Sequence, residues 1–149
     1  MATTETIAQK LLQVLGNTYV LYGKTHSYHW NVTGARFHAL HNLFEEHYRA
    51  MWESLDDIAE RIRTLGVTAP LSTREMAEAS SIKENDNAVP SADTMLQNLV
   101  SDHTTWLEDA EGALDEASDV GDTGTEDLLS TLIAAHEKMR WMLKSSIDD

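Results

Sequence analysis

Both prolines of the chain, Pro70 and Pro90, fall inside one central segment. Proline lacks the backbone donor and clashes with the preceding turn, so it ends most helices it enters. The stretches before Pro70 and after Pro90 are therefore open to long helices, and the apolar pattern predicts them. Ile7, Leu11, Leu15, Val20 and Tyr22 form a stripe in a helix from about Thr4 to Asn31, which Thr33-Gly34 stops. A second helix runs from about Arg36 to Leu65 and stops at Gly66. A third starts after Pro90, capped by Ser91, and runs to about Ser118. A fourth starts near Thr125 and ends around Ile147, with Glu126 and Asp127 in its first turn, where carboxylates favour the helix dipole. Ser72-Thr73-Arg74-Glu75 reads as a capping box opening a short helix between the second and third. No strand pattern or repeat is present. The expected class is all-α: an antiparallel four-helix bundle with a short extra helix in the long crossover. A length of 149 residues predicts one domain, 1–149. Gly16 and Gly23 share a helix face, and each costs about 1 kcal/mol against Ala; close approach of another backbone would explain them.

The formal charge of −14 is unevenly spread. Residues 1–83 hold 8 Lys/Arg and 9 Asp/Glu, residues 84–137 hold 14 Asp/Glu and no Lys or Arg, and the last twelve hold 3 and 2. The imbalance thus comes from one stretch: a solvated acidic face, an adaptation to salt, or a field that collects cations. No basic cluster is present to release counterions from a phosphate backbone. The absence of cysteine removes disulfides and thiolate sites. No apolar run approaches a membrane span and no leader pattern opens the chain, so a cytoplasmic protein without membrane association is expected.

On a wheel of about 100° per residue, Phe37, Leu40, Phe44, His47, Met51, Leu55, Ile58 and Ile62 form the core stripe of the second helix. His41, Glu45, Asp56 and Glu60 centre about 130° away, so they do not aim at their own bundle core. His41/Glu45 and Asp56/Glu60 are each i, i+4 pairs that can converge on one ion. The pairs lie about 22 Å apart along the helix, too far for one small site in one chain. In a helical hairpin His29 falls beside His41. A two-fold axis crossing near residues 49–52 would bring Asp56 and Glu60 of one copy opposite His29, His41 and Glu45 of another. Trp52, a large aromatic off the core stripe, sits at that crossing and wants a partner surface. An isologous dimer with two shared sites follows. Single helical histidines are more often packed or surface residues, and acidic i, i+4 pairs are usually solvated; the argument rests on five such residues becoming one cluster under one symmetry operation. His26 and His38 read as surface residues or auxiliary ligands. His47, His103 and His136 read as hydrogen-bonded core imidazoles, and Trp30, Trp106 and Trp141 as packing residues. The Glu-x-x-His of sites inside a bundle is missing, as is His-Glu-x-x-His.

The stretch "KTHSYHWNVTGARFHALHNLFEEHYRAMWESLDDIAERIRTLG" resembles the signature of the Dps family, the miniature ferritins, and the resemblance extends over nearly the whole chain. It implies a hollow homododecamer built on two-fold dimers, which oxidises Fe²⁺, commonly with hydrogen peroxide, and stores the ferric mineral. It implies a ferroxidase centre with His29, His41 and Glu45 from one subunit and Asp56 and Glu60 from its mate. Trp30 matches an aromatic beside that centre, and Trp52 is its companion at the axis. The start of the last helix matches a three-fold pore, with Asp122 and Asp127, then Asp119 or Glu126, as its acids. Iron (Fe²⁺/Fe³⁺) rather than zinc comes from the resemblance, since a His/carboxylate shell accepts both. DNA binding in such proteins relies on a basic tail. Here Lys10 is the one basic residue among the first 23, so no direct DNA binding is expected. A nucleoid-compacting structural protein, or a zinc-stabilised oligomer without turnover, are the alternatives.

Overall fold

A computed structural model describes residues 3–85 and 87–148. It contains α1 (Thr4–Asn31), α2 (Phe37–Thr64), α3 (Thr73–Ala79), α4 (Ala92–Asp119) and α5 (Thr123–Ser145), with no strand among the described residues. Four of the five helix starts carry a side-chain cap, α2 being the exception. Thr3, Ser72, Ser91 and Asp122 accept backbone N–H groups of Thr6, Glu75, Thr94 and Thr125, filling donors the first turn leaves open. The cap at Asp122 puts the start of α5 at Thr123, earlier than the apolar stripe indicated, and leaves Asp127 just beyond the first turn. At the end of α2, Gly66 adopts φ 88°, which a side chain would resist.

The contacts fix the topology. α1 pairs with α2, α4 with α5, α1 with α4, and α2 with α5. Across α1 and α4, Tyr28 meets Asn98, Lys24 meets Asp102 and Asn17 meets Asp109, so these helices are antiparallel. The same holds for α2 and α5, where Arg36 reaches Ser146 and Arg61 reaches Thr125. α2 and α4 therefore run in the same direction. A 28-residue helix is about 42 Å long, so the 65–91 connection must travel the whole bundle to begin α4 at the correct end.

That crossover is pinned to α1. Gly16 lies under the α3 end, where an added Cβ would strike the Met76 carbonyl oxygen. Asn17, fully buried, accepts from the Ser80 hydroxyl and the Ser81 N–H. The close approach inferred for Gly16 is thus real. For Gly23 it is absent: no atom lies within 4 Å of a Cβ built there.

Leu11, Leu21, Phe44, Met51, Ile58, Leu96, Leu99, Trp106 and Leu143 fill the core; burial of such a side chain contributes about 1.5–3 kcal/mol. Three departures from the sequence reading are instructive. Phe37 stays 41% exposed and stacks on His41 instead. Trp30 and Trp141 are 64% and 63% exposed rather than packed. His47 is buried, but neither ring nitrogen has a partner, so it is not the hydrogen-bonded imidazole expected. Its neighbours are better provided: His103 and His136 share a hydrogen bond of 3.0 Å, and Trp106 stacks on His136 at 3.5 Å. Among the described residues, no helix is long and apolar enough to cross a membrane.

Candidate metal centre

His29 lies in the last turn of α1 and His41 in the second turn of α2. The short 32–36 connection sets the two turns side by side. Each ring then uses the other helix as its anchor. His29 Nδ1 is 2.7 Å from the His41 carbonyl oxygen, and His41 Nδ1 is 2.7 Å from the His29 carbonyl oxygen. A carbonyl only accepts, so each Nδ1 must carry a hydrogen. In the neutral rings both Nε2 lone pairs are consequently free, the arrangement a metal-binding imidazole requires. The rings stack with centroids 3.7 Å apart and planes 15° from parallel.

Glu45, one turn after His41, supplies the acid. Its Oε1 lies 3.9 Å from His29 Nε2, and its Oε2 accepts from Arg49 Nε at 2.9 Å. The Arg49 hydrogen bond holds the carboxyl below its usual range, slight burial opposing it and the Arg49 charge and the nearby imidazoles assisting. One ligand atom from each of His29, His41 and Glu45 falls within 4.8 Å of the others. Two imidazoles and one ionised carboxylate, with the rest of the shell open, suit a divalent first-row cation.

Asp56 and Glu60 lie on the exposed face of the same helix, and line an open cavity of about 510 Å³ with Trp52, Glu53, Leu55 and Asp57. Fifteen residues from His41 and Glu45 respectively are Asp56 and Glu60, about 22 Å along the axis, so one chain does not unite the two halves. Trp52 is 59% exposed between them. His26 and His38 stand outside the triad: His26 Nδ1 meets Tyr22 Oη, and His38 meets Asn42.

The acids around the start of α5 have unequal settings. Asp122 is committed within the chain: Oδ1 accepts from Arg61 Nη2 at 2.8 Å and Oδ2 from the Thr125 hydroxyl at 2.6 Å. Burial works against ionisation of Asp122, but these bonds and the Arg61 charge hold its pKa below the ordinary value. Asp119 and Asp127 are exposed, and Glu126 is half-buried.

Sequence reasoning overlooked two neighbours of the triad. Arg49 braces Glu45, a contact that i, i+4 spacing could have flagged. Tyr48 sets its ring edge-on to His29 at 5.2 Å and stacks on His26 at 3.9 Å; no spacing rule marks that contact.

Comparison with known proteins gives a consistent picture. Residues 8–149 match the family model of the ferritin-like domain. A low temperature-induced protein of a Nostoc species is 42% identical over 139 residues, 93% of this chain and 78% of the relative. Dps from Staphylococcus aureus superposes with a TM-score of 0.95 at 32% identity, over 100% of this chain and 99% of that one. A Dps protein from Vibrio cholerae, described as a member of the ferritin-like diiron-carboxylate superfamily, superposes with a TM-score of 0.90 at 34% identity, over 95% of this chain and 89% of that one.

Proposed function

The chain belongs to the Dps family of ferritin-like proteins, and from that premise we propose that it binds and oxidises Fe²⁺ at centres shared by two copies, protecting against oxidative damage. The observation that carries this reading is the His29–His41–Glu45 triad, whose ligand atoms lie within 4.8 Å of one another with both Nε2 lone pairs available. A second copy crossing antiparallel near residues 49–52 supplies the partner's Asp56 and the partner's Glu60 to complete it. The exposed Trp52 covers the axis in that arrangement.

In this reading iron is the substrate. His29 and His41 Nε2 capture Fe²⁺, Glu45 Oε1 offsets its charge, and the distal acids favour the ferric product. Two Fe²⁺ give one electron each to hydrogen peroxide, which takes up two protons and leaves as two waters; paired transfer avoids a free hydroxyl radical. Peroxide is the proposed oxidant and dioxygen the alternative. Twelve copies form a hollow shell that keeps the mineral, and the acids Asp119, Glu126 and Asp127, with Asp122 behind them, draw Fe²⁺ to its entry. The charge of −14 supports the absence of direct DNA binding; a gel shift at low salt without divalent ions tests that, and a retarded complex would refute it.

The decisive variant is His29→Ala/His41→Ala. The assembled shell persists by sedimentation, while fast Fe²⁺ oxidation is lost. Undiminished oxidation would place the chemistry elsewhere.

A further inference from the structure

The two oxygens of Glu45 are not equivalent. Oε1 faces the imidazoles, whereas Oε2 is taken by the Arg49 guanidinium. Glu45 is the one carboxylate in the triad, so a cation seated on His29, His41 and Oε1 uses everything this chain offers it. In two-metal sites the ions lie about 3.5–4 Å apart and commonly share a carboxylate. A second cation that shares Glu45 with the first, whatever the partner's Asp56 and the partner's Glu60 add, would have to approach Oε2, where it meets the Arg49 charge. In the single chain Arg49 is 66% exposed at the side chain, and among the described residues its other neighbour is the face of Tyr48, with its guanidinium carbon 5.5 Å from the ring centroid; the proposed two-fold crossing passes beside it. It can leave Glu45 without disturbing the core, and the tyrosine face gives it a place to rest.

We propose that Arg49 is a positioning residue that withholds Oε2 of Glu45, so that each centre holds one divalent cation tightly and admits a second only when the guanidinium lets go. The proposal rests on the shared-centre reading above and adds an order of loading to it. An ordinary i, i+4 pair on a helix surface would leave metal stoichiometry untouched. Removing this one changes the number of cations bound and not the fold.

The test uses Co²⁺, a redox-inert probe with visible d–d bands, titrated into the assembled protein by absorption and calorimetry. The parent protein binds one Co²⁺ per chain tightly and a second at least about tenfold more weakly. Arg49→Met binds two with similar affinity, and Arg49→Lys, which keeps the charge, stays near the parent. Arg49→Gln replaces the methionine variant if assembly suffers. Equal stoichiometry and affinity in the parent and the uncharged variants would overturn the proposal, as would two equally tight ions in the parent. His29→Ala/His41→Ala separates the two levels of the argument. If it loses the first Co²⁺, the centre is where we place it whatever Arg49 does; if it binds Co²⁺ unchanged, the centre itself is misplaced.

Discussion

Lowering the pH should weaken this fold through the histidines of its core. His47, His103 and His136 come from three helices and are all at least 96% buried, at 4%, 0% and 1% exposure. Desolvation pushes His47 down to about 4 from 6.5 and His103 down to about 3, and it lowers His136 well below its ordinary value. For His103 the nearby His47 and Arg140, and for His136 the nearby His103 and His47, work in the same direction. A base whose pKa is depressed by folding is neutral in the native state and charged in the unfolded one. Its stability contribution is complete above pH 6.5 and drains away as pH falls towards the native value. At pH 5 the deficit from His47 is 1.5 pH units at about 1.4 kcal/mol each, or about 2 kcal/mol. His103 adds a similar amount, so the two approach about 4 kcal/mol against a typical stability of about 5–15 kcal/mol. The assay is urea unfolding at pH 8, 6.5 and 5, at one protein concentration because assembly contributes to stability. Trp106, stacked on His136, is the fluorescent reporter. In His47→Leu the loss between pH 8 and 5 should shrink by about 2 kcal/mol. At pH 8 the same variant should hold or gain about 1 kcal/mol, since both nitrogens it removes are buried without partners. An unchanged pH dependence in His47→Leu would refute the reasoning.

Other perturbations follow from the same geometry. Gly16→Ala forces a methyl group against the Met76 carbonyl and should cost about 1–3 kcal/mol, whereas Gly23→Ala, in open space, should gain about 0.5–1 kcal/mol; thermal melts of the two should move in opposite directions. Asp122→Ala removes the α5 cap and the Arg61 partner and should cost about 1–2 kcal/mol by urea titration. Asp122→Asn, which keeps the cap, should cost less. Trp52→Glu at the proposed two-fold contact should shift sedimentation towards smaller species while the circular dichroism of the helices is retained.

The helices were legible because proline placement, caps and the 3.6-residue stripe agree over long segments. The topology needed more: that α2 and α4 run parallel depends on where the crossover lands, and Asn17 and Gly16, which pin it, look like unremarkable helix residues. Exposure of Phe37 and Trp30 was hidden for another reason. Both meet imidazoles at the end of the hairpin, Phe37 stacked on His41 of the triad and Trp30 tilted against His26 beside it, so their aromatic surface is turned to that end and not to the core. His29, His41 and Glu45 could be foreseen together from hairpin arithmetic. Their orientation could not, because the acceptors that set the ring tautomers are peptide carbonyls, which every residue carries. The relation of Asp56 and Glu60 to the triad belongs to a pair of chains, and a wheel drawn for one chain can only indicate the direction in which they look.

The crossed bonds between His29 and His41 also bear on how such a protein can change over generations. Each ring steadies the backbone from which the other hangs. Replacing either one strips a ligand and frees the carbonyl its ring had tied down, yet leaves the other ring bonded, because that ring is held by a peptide oxygen any residue keeps. A donor pair of this kind can therefore change one member at a time, with the remaining imidazole still aimed by the backbone opposite.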